Sequence, residues 1–126
     1  MVECFLLTPV DDSDFLWTSP DGDIFQLGTT PSRGIPPAPV GAMWDAYWLT
    51  GLDIGGVRPF GGPDGMTLIL RTPGGDWVID GPSYRYGEVV GSGWKRKGEP
   101  PHLTVTPSIV MPGFHGMLTN GFLVPV

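Results

Sequence analysis

One cysteine, Cys4, in 126 residues excludes an internal disulfide. That fits a reducing compartment or a protein that needs no cross-link. Two histidines, His102 and His115, join that thiol. A structural zinc site usually takes four Cys/His ligands, so neither a metal nor a cofactor is expected. Charge is scarce, at 16% of residues, where about a quarter is ordinary. No window approaches the roughly 18 apolar residues of a membrane span. Residues 1–20 lack the basic start and apolar run of a signal peptide. A soluble protein made in a cytoplasm is the expectation. The Gly-rich stretches have no lysine-bearing helix after them, so none reads as a phosphate loop.

Catalytic groupings are equally thin. Ser83, Ser92 and Ser108 have no elbow-like setting, and Cys4 sits in an apolar strand where a thiol is inert packing. Two carboxylates such as Asp76 and Asp80 could in principle act as acid and base. Asp76 falls in a turn and Asp80 at a strand end, where aspartate is common for structural reasons. The chain is expected not to be an enzyme.

Glycine and proline are what the sequence has in quantity, 20 and 15 residues. They are interleaved with Trp, Phe, Ile, Leu and Val, and 40% of the chain is hydrophobic. The composition predicts a mainly β fold: one domain over 1–126, a small antiparallel sandwich or barrel with one short helix and long Pro/Gly-rich loops. The clearest hairpin is 65–82, with strands at 66–71 and 77–79 about a Pro73-Gly74-Gly75-Asp76 turn. It is the expected central rung of a sheet completed by 15–27, 102–106 and 114–126.

Around it, 2–7 reads as an opening strand and 11–14 as an acidic turn. Residues 15–18 and 23–27 form a hairpin about Ser19-Pro20-Asp21-Gly22, with Phe25 and Leu27 inward. The Pro-Asp-Gly turn recurs at 62–65, offset by 43 residues, as a favoured turn or a weak internal repeat. Four prolines in 28–40 exclude helix and predict an extended loop or arm, clamped to its own domain or lying on a neighbour. Met43/Tyr47 and Trp44/Trp48 at i, i+4 predict the short helix at 42–49, whose aromatic face meets Trp77 and Ile79. At the end, His102 to Thr106 alternates with Leu103 and Val105 inward. Asn120-Gly121 between apolar runs predicts a closing hairpin. Both chain ends are expected to be held in sheets or by neighbours.

The net charge of −6 is uneven. Residues 1–64 hold nine acids against two arginines, and the only basic cluster, Lys95-Arg96-Lys97, lies in the second half. An acidic chain is repelled by nucleic acid and anionic membranes at long range. Uncharged surface on a small protein is often covered by a partner. The expected partners are therefore proteins, including copies of the chain itself. The candidate contact residues are Arg33 and Ile35 in the proline-rich loop. The basic segment adds Tyr84, Arg85, Tyr86, Trp94, Lys95, Arg96 and Lys97.

The C-terminal third carries Trp94-x-x-x-Gly98-Glu99-Pro100-Pro101-His102-Leu103-Thr104-Val105, Pro107-Ser108-Ile109 and Phe114-His115-Gly116-x-Leu118-x-Asn120-Gly121. Together with Gly62-Pro63-Asp64-Gly65 and Trp77-x-Ile79-Asp80, this resembles a family of small bacteriophage-encoded proteins of uncharacterised function. Some relatives carry cysteines near the aromatic-His-Gly tail. Here that stretch reads Met111-Pro112-Gly113-Phe114, which argues against a metal role for His115. The resemblance implies a phage origin and no mechanism. Two functions fit: a virion accessory that binds the capsid or another particle protein, or an intracellular protein that binds and inhibits or redirects a host protein.

Overall fold

The computed structural model describes residues 1–10, 15–53, 56, 58–85 and 88–126, with Arg85 described for its backbone alone. The expected acidic turn at 11–14 and the candidate contact Tyr86 lie outside the described residues.

The chain is mainly β. In order, the strands are β1 (Val2–Glu3), β2 (Phe5–Leu6), β3 (Thr8–Pro9), β4 (Trp17–Thr18), β5 (Ile24–Phe25), β6 (Ala42–Asp45) and β7 (Leu68–Thr72). Then come β8 (Gly75–Val78), β9 (Ser83–Arg85), β10 (Glu88–Gly91), β11 (Lys95–Lys97), β12 (Thr104–Met111), β13 (Phe114–Thr119) and β14 (Phe122–Pro125). A five-stranded antiparallel sheet runs β1-β14-β13-β12-β11. A four-stranded sheet runs β2-β6-β7-β8, with β2 parallel to β6. Smaller sheets are β3-β4-β5 and the β9–β10 hairpin.

The dense apolar run of the central hairpin follows from burial on both faces. β7 is buried at all five positions. Leu68 and Leu70 face the five-stranded sheet, in one core with Met43, Trp77, Leu103, Val105, Leu118 and Leu123. Ile69 faces the other way, into a second core with Leu7, Trp17, Ala38, Ala42 and Trp44. A strand covered on both sides reads as a continuous apolar run rather than an alternating one. Leucines 68, 70, 103, 118 and 123 are at most 1% exposed. Each such side chain stabilises the fold by about 1.5–3 kcal/mol.

The helix expected at 42–49 is instead strand β6 followed by a single 3₁₀ turn, Tyr47–Leu49. In β6, Ala42 and Trp44 enter one core and Met43 the other. Double burial puts apolar Met43 and Trp44 next to each other in the strand, and with Tyr47 and Trp48 of the exposed turn that follows they fall at i, i+4, which imitates a helical face. Asp45 does not complement a helix dipole. It accepts the Thr67 N–H at 3.0 Å.

The expected neighbours of the central hairpin are also corrected. β7 pairs with β6 and β8. The segments 102–106 and 114–126 belong to the facing sheet, and 15–27 to the third. Trp77 and Ile79 therefore meet Leu103 and its neighbours rather than Trp44 and Trp48. Trp48 is 47% exposed, edge-on to Trp17 and Tyr47. Alternation with the inward Phe25 and Leu27 puts Gln26 on the outer face, yet it is buried where its backbone bonds to Pro36 and Ala38.

The Asn120-Gly121 hairpin turn forms as read, and the central turn is tighter than the expected Pro73–Asp76, because Gly75 and Asp76 already belong to β8. Thr72 pairs with Gly75 and Thr119 with Phe122, which leaves two-residue loops. Asn120 and Gly121 have φ of 47° and 81°, the left-handed pair that a type I′ turn needs. Both Pro-Asp-Gly turns share one bonding scheme. Gly22 N–H donates to Ser19 O and Gly65 N–H to Gly62 O, each at 3.0 Å. The strands beyond them differ, β5 with two residues and β7 with five. The echo is one of turn chemistry.

Candidate functional site

The opening segment holds both large sheets along one side. Val2 and Glu3 pair with β14, and Phe5 and Leu6 with β6. On the opposite side the sheets end in β8 and β11, which share no ladder. Side chains close the gap. Trp77 of β8 meets Trp94 edge-to-face, with ring centroids 5.4 Å apart. Arg96 of β11 donates from Nε to Asp80 Oδ1 at 2.8 Å, and from both Nη atoms to the Asp64 carboxylate. Asp80 also accepts the Leu68 N–H at 2.9 Å.

Strand alternation explains the outcome for Lys95-Arg96-Lys97. Successive side chains point to opposite faces. Lys95 and Lys97 are exposed, and Arg96 is turned inward with its side chain 3% exposed. Arg96 is therefore not the surface contact it was expected to be. It pins the two sheets together. Burial opposes ionisation of both Asp64 and Arg96, and their mutual hydrogen bonds and charges outweigh it. The Asp64 carboxyl is held below its usual range, and Arg96 is held protonated above its ordinary value.

A cleft of about 590 Å³ opens beside this pin, walled by Pro63, Trp94 and Pro107 and lined by Arg58, Lys95 and Arg96. Arg58 Nη1 donates to Ser92 O at 3.1 Å and Trp94 O at 3.0 Å, and Nη2 to Gly61 O at 3.4 Å. The guanidinium thus ties the 58–61 loop to the approach to β11. Two glycines make the packing possible. A Cβ at Gly62 would collide with Arg96 Nη2 and stand 2.7 Å from Asp80 Oδ1. One at Gly93 would collide with Gly81 O. A smaller hollow of about 210 Å³ lies along β11, between Lys95, Arg96, Lys97, Thr104 and Thr106.

Of the candidate contacts, Trp94, Lys95, Arg96 and Lys97 come together at this edge. Tyr84 is 42% exposed on β9, and Arg85 follows it in the same strand. Arg33 and Ile35 belong elsewhere, on the segment covering the outer face of the four-stranded sheet. Arg33 is exposed, with its guanidinium 5.0 Å over the Phe15 ring. Ile35 is half-buried and exchanges backbone hydrogen bonds with Ser32. That segment is clamped to its own domain. Arg71 donates to the carbonyls of Leu27, Gly28 and Ala38, and is held in turn by Asp76.

Arg58 and Asp64 had no role expected from the sequence, and Asp80 was weighed only as an acid–base candidate. Asp64 looked like a turn residue, Asp80 like a strand terminus, and Arg58 sits alone in a glycine-rich loop. Asp76 and Asp80, weighed as an acid and base, are each paired with an arginine. Cys4 is buried, and burial pushes its thiol up to about 11. Among the described residues no three His, Cys, Asp or Glu side chains gather as a metal group, and no helix is long and apolar enough to cross a membrane.

The opposite edge of the five-stranded sheet is acidic. Glu3, Asp21 and Asp23 line a hollow of about 460 Å³ floored by Cys4, Phe5 and Phe25. No protein-family model matches the chain, and no curated protein or solved structure matches it either.

Proposed function

We propose that the chain is a non-enzymatic accessory protein of a bacteriophage particle. It docks on the capsid or another virion protein through the β11 edge and stabilises the assembly there. The observation that carries this reading is the placement of Lys95 and Lys97. They stand side by side on an exposed edge strand, and among the described residues no carboxylate pairs with either. On a chain of net charge −6, they form a local positive face that selects an acidic partner surface. Lysines on an edge strand also deter indiscriminate strand pairing, which favours a specific partner. The β9–β10 hairpin leading into β11 adds exposed Tyr84 and Val90, apolar area of the kind that protein contacts cover.

The phage origin rests on the resemblance in 60–126. Mass spectrometry of purified particles tests the assignment. The chain should be recovered in fixed stoichiometry with the capsid protein. Its absence from particles, with presence in the infected cell, would sink the virion reading in favour of a host-directed binder. Contacts between copies are a second reading, favoured by the acidic hollow at the edge opposite β11. A monomer mass unchanged by lowering the salt removes it.

A further inference from the structure

The cleft beside β11 is chemically more selective than a basic patch. Arg58 is the unusual member. Three carbonyls fix its guanidinium plane, yet none carries a formal charge, and no carboxylate pairs with it among the described residues. Among the described residues, Nε–H and one Nη2–H have no partner once those bonds are counted. Arg96, across the cleft, is already balanced. Its partners Asp80 and Asp64 supply two carboxylates. With Lys95 at the rim, three cations face two anions, a formal surplus of one positive charge.

We infer that this cleft binds a single carboxylate carried on an apolar or aromatic group, with Arg58 as the anchor and Lys95 closing the rim. The charge count selects the ligand. One carboxylate neutralises the surplus. A phosphate near neutral pH approaches two charges, and a polyanion meets the repulsion of a −6 chain besides. The walls select what the carboxylate is attached to. Trp94, Pro63 and Pro107 are apolar, and about 590 Å³ is far more than a carboxylate fills. Volumes of about 300–1,000 Å³ with a few convergent polar groups are typical of ligand sites. A pre-positioned guanidinium loses little freedom on binding, which favours affinity. The carboxylate is a side-chain or terminal group of a partner protein, or a free organic acid. The inference names the partner chemistry at one end of the docking face, and it rests on the docking reading only for a protein-borne source.

Two-dimensional NMR of the full chain, reading the Trp94 indole N–H and the Arg58 Nε–H, tests it. The probes are 3-phenylpropionate, neutral 3-phenylpropanol, N-acetyl-Phe-Asp-amide and inorganic phosphate. Both carboxylates should shift both resonances saturably. Phenylpropanol and Arg58→Met should each weaken binding by about tenfold or more, the scale of a lost charge-assisted hydrogen bond. Lys95→Gln, at an exposed position, should weaken it severalfold and keeps the test valid if Arg58→Met does not fold. Tighter binding of the peptide points to a protein-borne group, and tighter binding of the free acid to a small molecule. Equal binding of phenylpropanol, phosphate binding as tight as carboxylate, indifference to Lys95→Gln, or no saturable shift would each overturn the site. Particle association that persists without carboxylate binding would overturn this inference and leave the docking reading standing.

Discussion

Replacing Arg96 by Met removes the pin between the two sheets while keeping most of the side-chain volume. In the native protein the Arg96 side chain is 3% exposed and that of Asp80 2%. The substitution leaves the Asp80 carboxylate buried with one remaining donor among the described residues, the Leu68 N–H. Breaking a buried pair by deleting one partner costs about 3–5 kcal/mol, chiefly because the survivor is an uncompensated charge. A domain of this length has roughly 6–19 kcal/mol of stability in total, so Arg96→Met should fold but be severely weakened. Asp80→Asn added to Arg96→Met removes the stranded charge and keeps an acceptor for Leu68. The double variant should therefore be more stable than Arg96→Met alone by about 1–2 kcal/mol. Asp64 is more exposed, with 32% of its side chain accessible. Asp64→Asn should cost less, about 1 kcal/mol. Urea unfolding measures the parent, Asp64→Asn, the double variant and Arg96→Met, with midpoints falling in that order and slopes unchanged, and Asp80→Asn alone completes the cycle. An Arg96→Met cost below about 1 kcal/mol, or additive single-variant losses in the double variant, would refute the view that this pair is a buried, coupled pin.

Gly62→Ala tests the same packing from the backbone side. Gly62 lacks a positive φ, so its cost comes only from collision with Arg96 and Asp80 and should be about 1–3 kcal/mol. Most of it should vanish in the Arg96→Met background, and a persistent cost in calorimetry would point to the backbone instead. The pH profile of stability should fall at both ends. Asp64 is depressed in the folded state, so its contribution is present above the unfolded value near 4 and is lost as pH drops through the lower folded value. Asp64→Asn should lack that part of the acid limb. Cys4 is raised from 9.0 to about 11, so folding loses on the order of 2–3 kcal/mol between those pH values, a slope that Cys4→Ala should not show. Arg71→Lys keeps the charge but loses the fork that grips three carbonyls of the 27–38 region. Trypsin should then cut after Arg33 at least about tenfold faster, the effect of losing over 1.4 kcal/mol of local stability, with cleavage after Lys97 unchanged. Equal acceleration at both positions would mean global loosening.

Local chemistry was the legible part of this fold. The Asn120-Gly121 and Pro73-Gly74 turns could be read because the residues that permit a left-handed or tight backbone are few. The apolar density of 66–70 was visible, but its cause was not. Only the pairing of β7 with β6 shows that both faces are covered, and a long-range pairing leaves no local mark. At 42–49 the i, i+4 pairs joined Met43 and Trp44 of a buried strand to Tyr47 and Trp48 of an exposed turn, and that spacing imitated a helix. At the candidate site, Lys95-Arg96-Lys97 was found as a cluster and misjudged as a uniform surface. Two-residue alternation would have set Arg96 apart once the segment was taken as a strand. Arg58 had no such signal. Its role depends on carbonyls more than 30 residues away, at Ser92 and Trp94.

The central claim is that the β11 edge docks on an acidic surface of the phage particle. Co-sedimentation of the purified chain with particles that lack it, at low and high salt, tests this most directly. Lys95→Ala/Lys97→Ala changes only exposed side chains, so the variant should fold as the parent does. At low salt it should occupy fewer sites than the parent, and the gap should close as salt screens the contact. Equal occupancy of parent and variant at every salt concentration would contradict the account.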